Sequence, residues 1–202
     1  MPKKGFMDEI RDERKKYGAE AGGGYFNFDH AGIYKMRILH QPKVTATHFF
    51  GKGNPAVVCI GVDEGCQYHK EDDKKPSIKL ATYILDREDG KVKMAELPLS
   101  ISYSLQDLQN DSDFAFDEFP MPYDVKITYD PENKDPKSIY RLTPSPKQEE
   151  ITTDEQDSLT AALEKKTPEQ YVEDKKRKQK EKGGDGEPQK HEYPESDVEV
   201  TF

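Results

Sequence analysis

Between Tyr25 and about Pro146 several stretches place apolar residues at every second position, separated by turns, and this pattern constrains the fold more than any other feature of the chain. In "GIYKMRIL", Tyr34, Met36 and Ile38 fall on one side and Lys35 and Arg37 on the other. In "SIKLATYIL", Ile78, Leu80 and Ile84 oppose Lys79 and Tyr83. Successive side chains of a strand point to opposite faces, so such alternation belongs to a sheet with one face on a core. "AVVCIGV" (56–62) reads as a short buried run. "DREDG" (86–90) turns the chain into "KVKMAEL", where Lys91 and Lys93 share a face. "YDVKITYD" and "SIYRLTP" are two further strands, joined by the turn segment "PENKDP". "SISYSLQDLQND" (100–111) breaks the pattern, because Ile101, Leu105 and Leu108 stand at helical spacing. Five to six short strands with one helix among them imply a mainly β chain, as a small barrel or an open sheet.

The flanks differ from this core. Residues 3–17 carry a rough apolar stripe (Phe6, Ile10, Tyr17) that predicts a short helix, and Gly22 to Gly24 end it as a hinge. After Pro146, Thr152 with Glu155 and Thr167 with Gln170 form two capping boxes, the second with Pro168 at the first helical position. Both helices are poor in apolar residues, which predicts little burial for either. "GGDGEPQK" reads as a linker, and "HEYPESDVEVTF" as an acidic tail. The divisions are an N-terminal arm (1–24), a core (25–150), a helical segment (151–182) and a flexible acidic tail (183–202).

With 33% hydrophobic and 35% charged residues, the chain is too polar to pack throughout, which fits one compact domain with solvated ends. No apolar run approaches a membrane span, and the N-terminus lacks the apolar centre of a signal peptide, so a cytoplasmic protein with reduced thiols is expected. The net charge of −9 weighs against nucleic-acid binding, and residues 25–150 alone carry 16 basic and 21 acidic groups. Only local placement of charge can offset that balance.

The chain's two cysteines lie close to two of its five histidines, as H-x10-C-x6-C-x2-H over His48, Cys59, Cys66 and His69, with His40 a competing distal histidine. Thiolates with imidazoles are the donors tetrahedral zinc selects, and four protein donors make a structural site with no open position for catalysis. No acid/base pair, phosphate loop or Ser/His/Asp arrangement stands out, so an enzyme is not expected. Basic and aromatic residues interleave on the strands and beside the knuckle: Lys35, Arg37, Phe49, Phe50, Lys52, Lys79, Tyr83, Lys91, Lys93, Tyr140 and Arg141. A groove for single strands needs this mixture of cations and rings. The polar face of any small β-domain supplies it too, and the pattern alone leaves both readings standing. The run "KKRKQKEK" (175–182) reads as the solvated end of a helix.

In order, "GIYKMRIL", the Cys/His knuckle, "TYILDREDGKVKMAELPLSI" and "YDVKITYDPENKDPKSIYRLTPSP" resemble the phage single-stranded DNA-binding proteins related to the helix-destabilising protein of T-even phages. The resemblance covers about residues 25–150, and His69 stands where that family usually has a third cysteine. It implies an OB-like barrel with a structural Zn2+ that coats single strands, without sequence preference, in phage DNA replication, recombination and repair, inside the infected host cell. It also implies self-association on DNA through the N-terminal arm. Phage replication proteins would be recruited through the acidic tail, of which Glu195, Asp197, Glu199 and the terminal Phe202 are the candidate contacts. The alternative expectation is a zinc-stabilised protein-interaction module that acts through that tail.

Overall fold

The computed structural model describes residues 24–50, 56–69, 75–145 and 149–183. The expected N-terminal helix, Lys52 and the acidic tail with Glu195, Asp197, Glu199 and Phe202 lie outside the described residues. The strands are β1 (Tyr25–Phe26), β2 (Gly32–Ile38), β3 (Lys43–His48), β4 (Val57–Val58), β5 (Ser77–Asp86), β6 (Lys91–Pro98), β7 (Val125–Tyr129) and β8 (Tyr140–Pro144). The helices are α1 (Ser100–Gln109), α2 (Thr153–Lys165) and α3 (Pro168–Gly183).

The main path of the sheet runs β1-β6-β5-β2-β7-β8. One edge of β5 pairs with β6 along most of its length. Its other edge is divided: Ser77–Ala81 pair with β3, and Ile84–Asp86 with β2. No pairing among the described residues joins the two ends of the path, so the sheet is open where a closed barrel was one of the expectations.

Alternation places the core as the sequence implies. Tyr34, Met36 and Ile38 of β2 meet Leu80 and Ile84 of β5, Ala95 and Leu97 of β6, Val125 and Ile127 of β7 and Leu142 of β8. Ile101, Leu105 and Leu108 close this core from α1, which packs against both β8 and β6 and so bridges the strands the open sheet leaves apart. Each fully buried Ile or Leu here contributes about 1.5–3 kcal/mol.

The other face of the sheet departs from expectation. Both capping boxes form: Thr152 and Glu155 exchange bonds of 2.8 and 3.3 Å, as do Thr167 and Gln170. The helices they start are packed on the sheet, which corrects the expectation that they bury little. Ala162, with Ile151, Leu159, Leu163 and Tyr171, covers Leu39, Tyr83, Leu85, Val92 and Met94 as a second core. The few apolar residues suffice because β5 and β6 are apolar on both faces, as strands covered on both sides are.

Candidate metal centre and its surroundings

His48 ends β3, and Cys59 follows β4, its N–H bonded to the Ala46 carbonyl at 2.9 Å. The chain then folds back. Gly61 (φ 105°) and Gly65 (φ 77°) hold left-handed backbone that L side chains adopt at a cost, and the Cys66 N–H bonds the Gly61 carbonyl at 3.0 Å. A short 3-10 turn, Gln67–His69, carries the last histidine inward.

The sequence spacing thereby becomes a cluster. One donor atom from each of His48, Cys59, Cys66 and His69 lies within 4.8 Å of all the others. Cys59 Sγ is 3.0 Å from His69 Nε2, and Cys66 Sγ is 3.5 Å from His48 Nε2. Zn–S of about 2.3 Å and Zn–N of about 2.0–2.1 Å at a tetrahedral angle require roughly 3.6 Å between sulfur and nitrogen. The Cys66–His48 pair stands at that separation and the Cys59–His69 pair is closer, so the donor set is compatible with an ion of that size. His48 is fully buried, both cysteines are buried, and neither forms a disulfide. The competing histidine, His40, is not in the cluster; its Nδ1 lies 3.0 Å from the Gln41 carbonyl, to which a ring N–H there donates.

Burial pushes the Cys59 thiol above its ordinary range, the nearby Cys66 adds to the shift, and the Gly61 N–H opposes it. A bound cation would reverse that balance, since a coordinating thiol is deprotonated outright. Aromatic rings wall the site: Tyr68 is 5.7 Å from His48 between centroids, and Phe50 is 5.0 Å from Tyr68. Glu64 of the knuckle pairs with Lys180, which ties the loop to α3 and holds the carboxyl below its ordinary range.

The expected DNA contacts do not form one surface. Phe49, next to His48, is 54% exposed, and Lys79 Nζ stands 6.0 Å from its ring centroid. Phe50 belongs to the wall of the metal site. Lys91 and Lys93 pair across from Asp86 and Ile84, about 17–23 Å along β5 from Lys79 at the usual rise per residue. Lys93 is held by Asp86 at 2.7 Å and Asp89 at 2.8 Å, whereas Lys91 is exposed. Tyr140 is half-buried and stacks on Tyr129, with centroids 4.8 Å apart, beside an exposed Arg141.

Three expected contacts are taken up inside the fold: Tyr83 and Arg37 are buried, and the partly exposed Lys35 is held in ion pairs. Tyr83 is buried under α2, where its hydroxyl donates to the Lys166 carbonyl at 2.7 Å and the Ala162 carbonyl at 3.2 Å. Arg37 is 4% exposed and donates to Asp124 Oδ1 at 2.8 Å. Lys35 is engaged by Glu149 at 2.6 Å and Asp124 at 3.4 Å, and the Glu149 bond raises its pKa. Arg87 completes the network, reaching Asp124 at 3.0 Å and Glu155 at 3.0 Å. Asp124 was not singled out from the sequence, since a lone aspartate before a strand carries no periodic or motif signal.

Ion pairing inside the fold takes up charges of both signs and leaves the acidic balance of the core as it was. Asp86, Glu96, Asp124, Glu149 and Glu155 are all engaged with cations inside the fold. Among the described residues no helix is long and apolar enough to cross a membrane. Comparison with protein-family models, with curated proteins and with solved structures returns no match for this chain.

Proposed function

We propose that the protein binds single-stranded DNA without sequence preference, as a phage replication, recombination and repair factor, and that His48, Cys59, Cys66 and His69 hold a structural zinc. The observation that carries this reading is the exposed Phe49 beside the metal cluster, with the Lys79 ammonium 6.0 Å from its ring. An exposed ring backed by a cation suits a base and its phosphate, and stacking of this kind is indifferent to base identity. The zinc would act as a clip: by fixing His48 it would fix the direction in which the next residue presents its ring. The strand order β6-β5-β2-β7-β8, with α1 between β6 and β7, also supports an OB-like barrel left partly open.

The test is fluorescence anisotropy with oligo-dT and a duplex of equal length over a salt series, beside metal analysis of the purified protein. Expected are one zinc per chain, a preference for the single strand, an affinity that falls as salt rises, and a loss of roughly 10-fold or more in Phe49→Ala. Equal affinity for both nucleic acids, or none for either, would overturn the reading.

A further inference from the structure

The outer face of the sheet is divided. Over β5 and β6 it lies under α2 and α3, and Arg37 of β2 is buried beside them; from Ile33 of β2 across β7 and β8 it carries exposed and half-buried side chains. Registers define the exposed part. Ile33 pairs with Thr128 and Thr128 with Arg141, while Lys35 pairs with Lys126 and Lys126 with Thr143. Paired residues project to the same side, so these are two adjacent rows on one face. The alternate residues Tyr34, Met36, Val125, Ile127 and Leu142 fill the core beneath.

Ile33 is 69% exposed, and Arg141 and Thr143 are exposed too. Lys35 is neutralised by Glu149. Lys126 and Arg141 form no ion pair among the described residues. The nearest carboxylates of β7 are engaged elsewhere: Asp124 is buried against Arg37 and Arg87, and Asp130 accepts from the Glu132 N–H and the Asn133 amide in its own turn. A chain of net charge −9 thus places the exposed Arg141 and Thr143, the half-buried Lys126 and Thr128 and the exposed Ile33 together on one face, with no ion pair on either cation among the described residues.

We infer that this face is a second path for single-stranded nucleic acid, with Lys126 and Arg141 on phosphates and Ile33 against a sugar or base. Cations and hydroxyls supply donors in excess, which suits the acceptor-only oxygens of a phosphodiester chain. A peptide would bring backbone N–H donors of its own, for which the face offers only the threonine oxygens. Lys126 and Arg141 stand diagonally on neighbouring strands, about 7–8 Å apart, close enough to contact phosphates of one strand. The inference rests on the single-strand reading but not on the Phe49 platform.

The experiment compares the intact chain with Lys126→Ala/Arg141→Ala and with Phe49→Ala, by anisotropy on oligo-dT of about 30 nucleotides, roughly twice the largest site of one OB fold. Salt is varied, and a urea midpoint matched to wild type confirms that each variant is folded. Each phosphate contact contributes about 0.7 to the single-strand salt slope, so the double variant should lose about 1.4 from that slope. Extrapolated from 1 M salt, this is a loss of about 25-fold at 0.1 M. Phe49→Ala should weaken binding with its slope unchanged. If wild type binds and the double variant keeps both affinity and slope, the second path is refuted and the single-strand reading stands. If wild type does not bind oligo-dT, the reading falls and takes the second path with it. An oligo-glutamate peptide whose binding alone depends on Lys126 and Arg141 would assign the face to an acidic protein segment and refute the inference.

Discussion

Asp124→Asn tests the feature that joins the C-terminal helices to the sheet. The carboxylate is fully buried and meets Arg37 Nε at 2.8 Å, Arg87 Nε at 3.0 Å and Lys35 Nζ at 3.4 Å. The amide keeps the shape and removes the charge. Arg87 retains Glu155, and Lys35 retains Glu149. Arg37, at 4% exposed, retains only the Glu149 carbonyl. Removing one partner of a buried pair costs about 3–5 kcal/mol, and these surviving contacts place the expected loss near 3 kcal/mol. With a urea m-value of about 2 kcal/mol/M, the unfolding midpoint should fall by roughly 1.5 M. Arg37→Met should cost a similar amount, because it strips the carboxylate of its shortest charged contact. In the double variant Arg37→Met/Asp124→Asn neither group is left uncompensated by the other, so the total should be smaller than the sum of the singles by about 1–3 kcal/mol. Additivity within about 0.5 kcal/mol, or singles costing under about 1 kcal/mol, would refute the view that this pair is coupled and buried.

Tyr83→Phe removes the hydroxyl that donates to Ala162 and Lys166; a loss of about 1 kcal/mol in urea unfolding is expected, with faster proteolysis of α2 and α3. Unchanged stability and cleavage would show that the hydroxyl does not hold the helix end. If zinc occupies the cluster at a thousandfold over its dissociation constant, a chelator should lower stability by about 4 kcal/mol, and Cys66→Ala should abolish the chelator effect. A chelator-insensitive wild type containing no metal would rule the zinc out. Burial pulls the Lys93 pKa down, but hydrogen bonds and charge from Asp86 and Asp89 carry it above the ordinary lysine value. A raised lysine pKa adds stability that is complete below the unfolded value and lost as pH rises through the folded one. Wild type should therefore weaken more than Lys93→Met above about pH 10. Parallel pH profiles would contradict the assignment.

What the sequence determined by itself was local. The alternation of Tyr34, Met36 and Ile38, the helical spacing of Ile101, Leu105 and Leu108, and the two capping boxes all follow from interactions within a few residues, and each is present in the fold. The metal candidates were legible for a related reason: few residue types bind zinc, and the chain has only two cysteines to consider. Whether His40 or His48 joins the cluster was open until the β3–β4 pairing placed His48 beside Val57 and brought the knuckle back toward it. The outer face was decided only by tertiary structure. Lys35, Arg37 and Tyr83 alternate with core residues in the same way whether they meet water, phosphate or a packed helix, because strand periodicity records only that two faces differ. Covering that face took Glu149 and Ala162, far along the chain, to neutralise one cation and cap one tyrosine. Sheet closure depends equally on distant edges, and there α1 packs against both β6 and β8, which do not pair with each other.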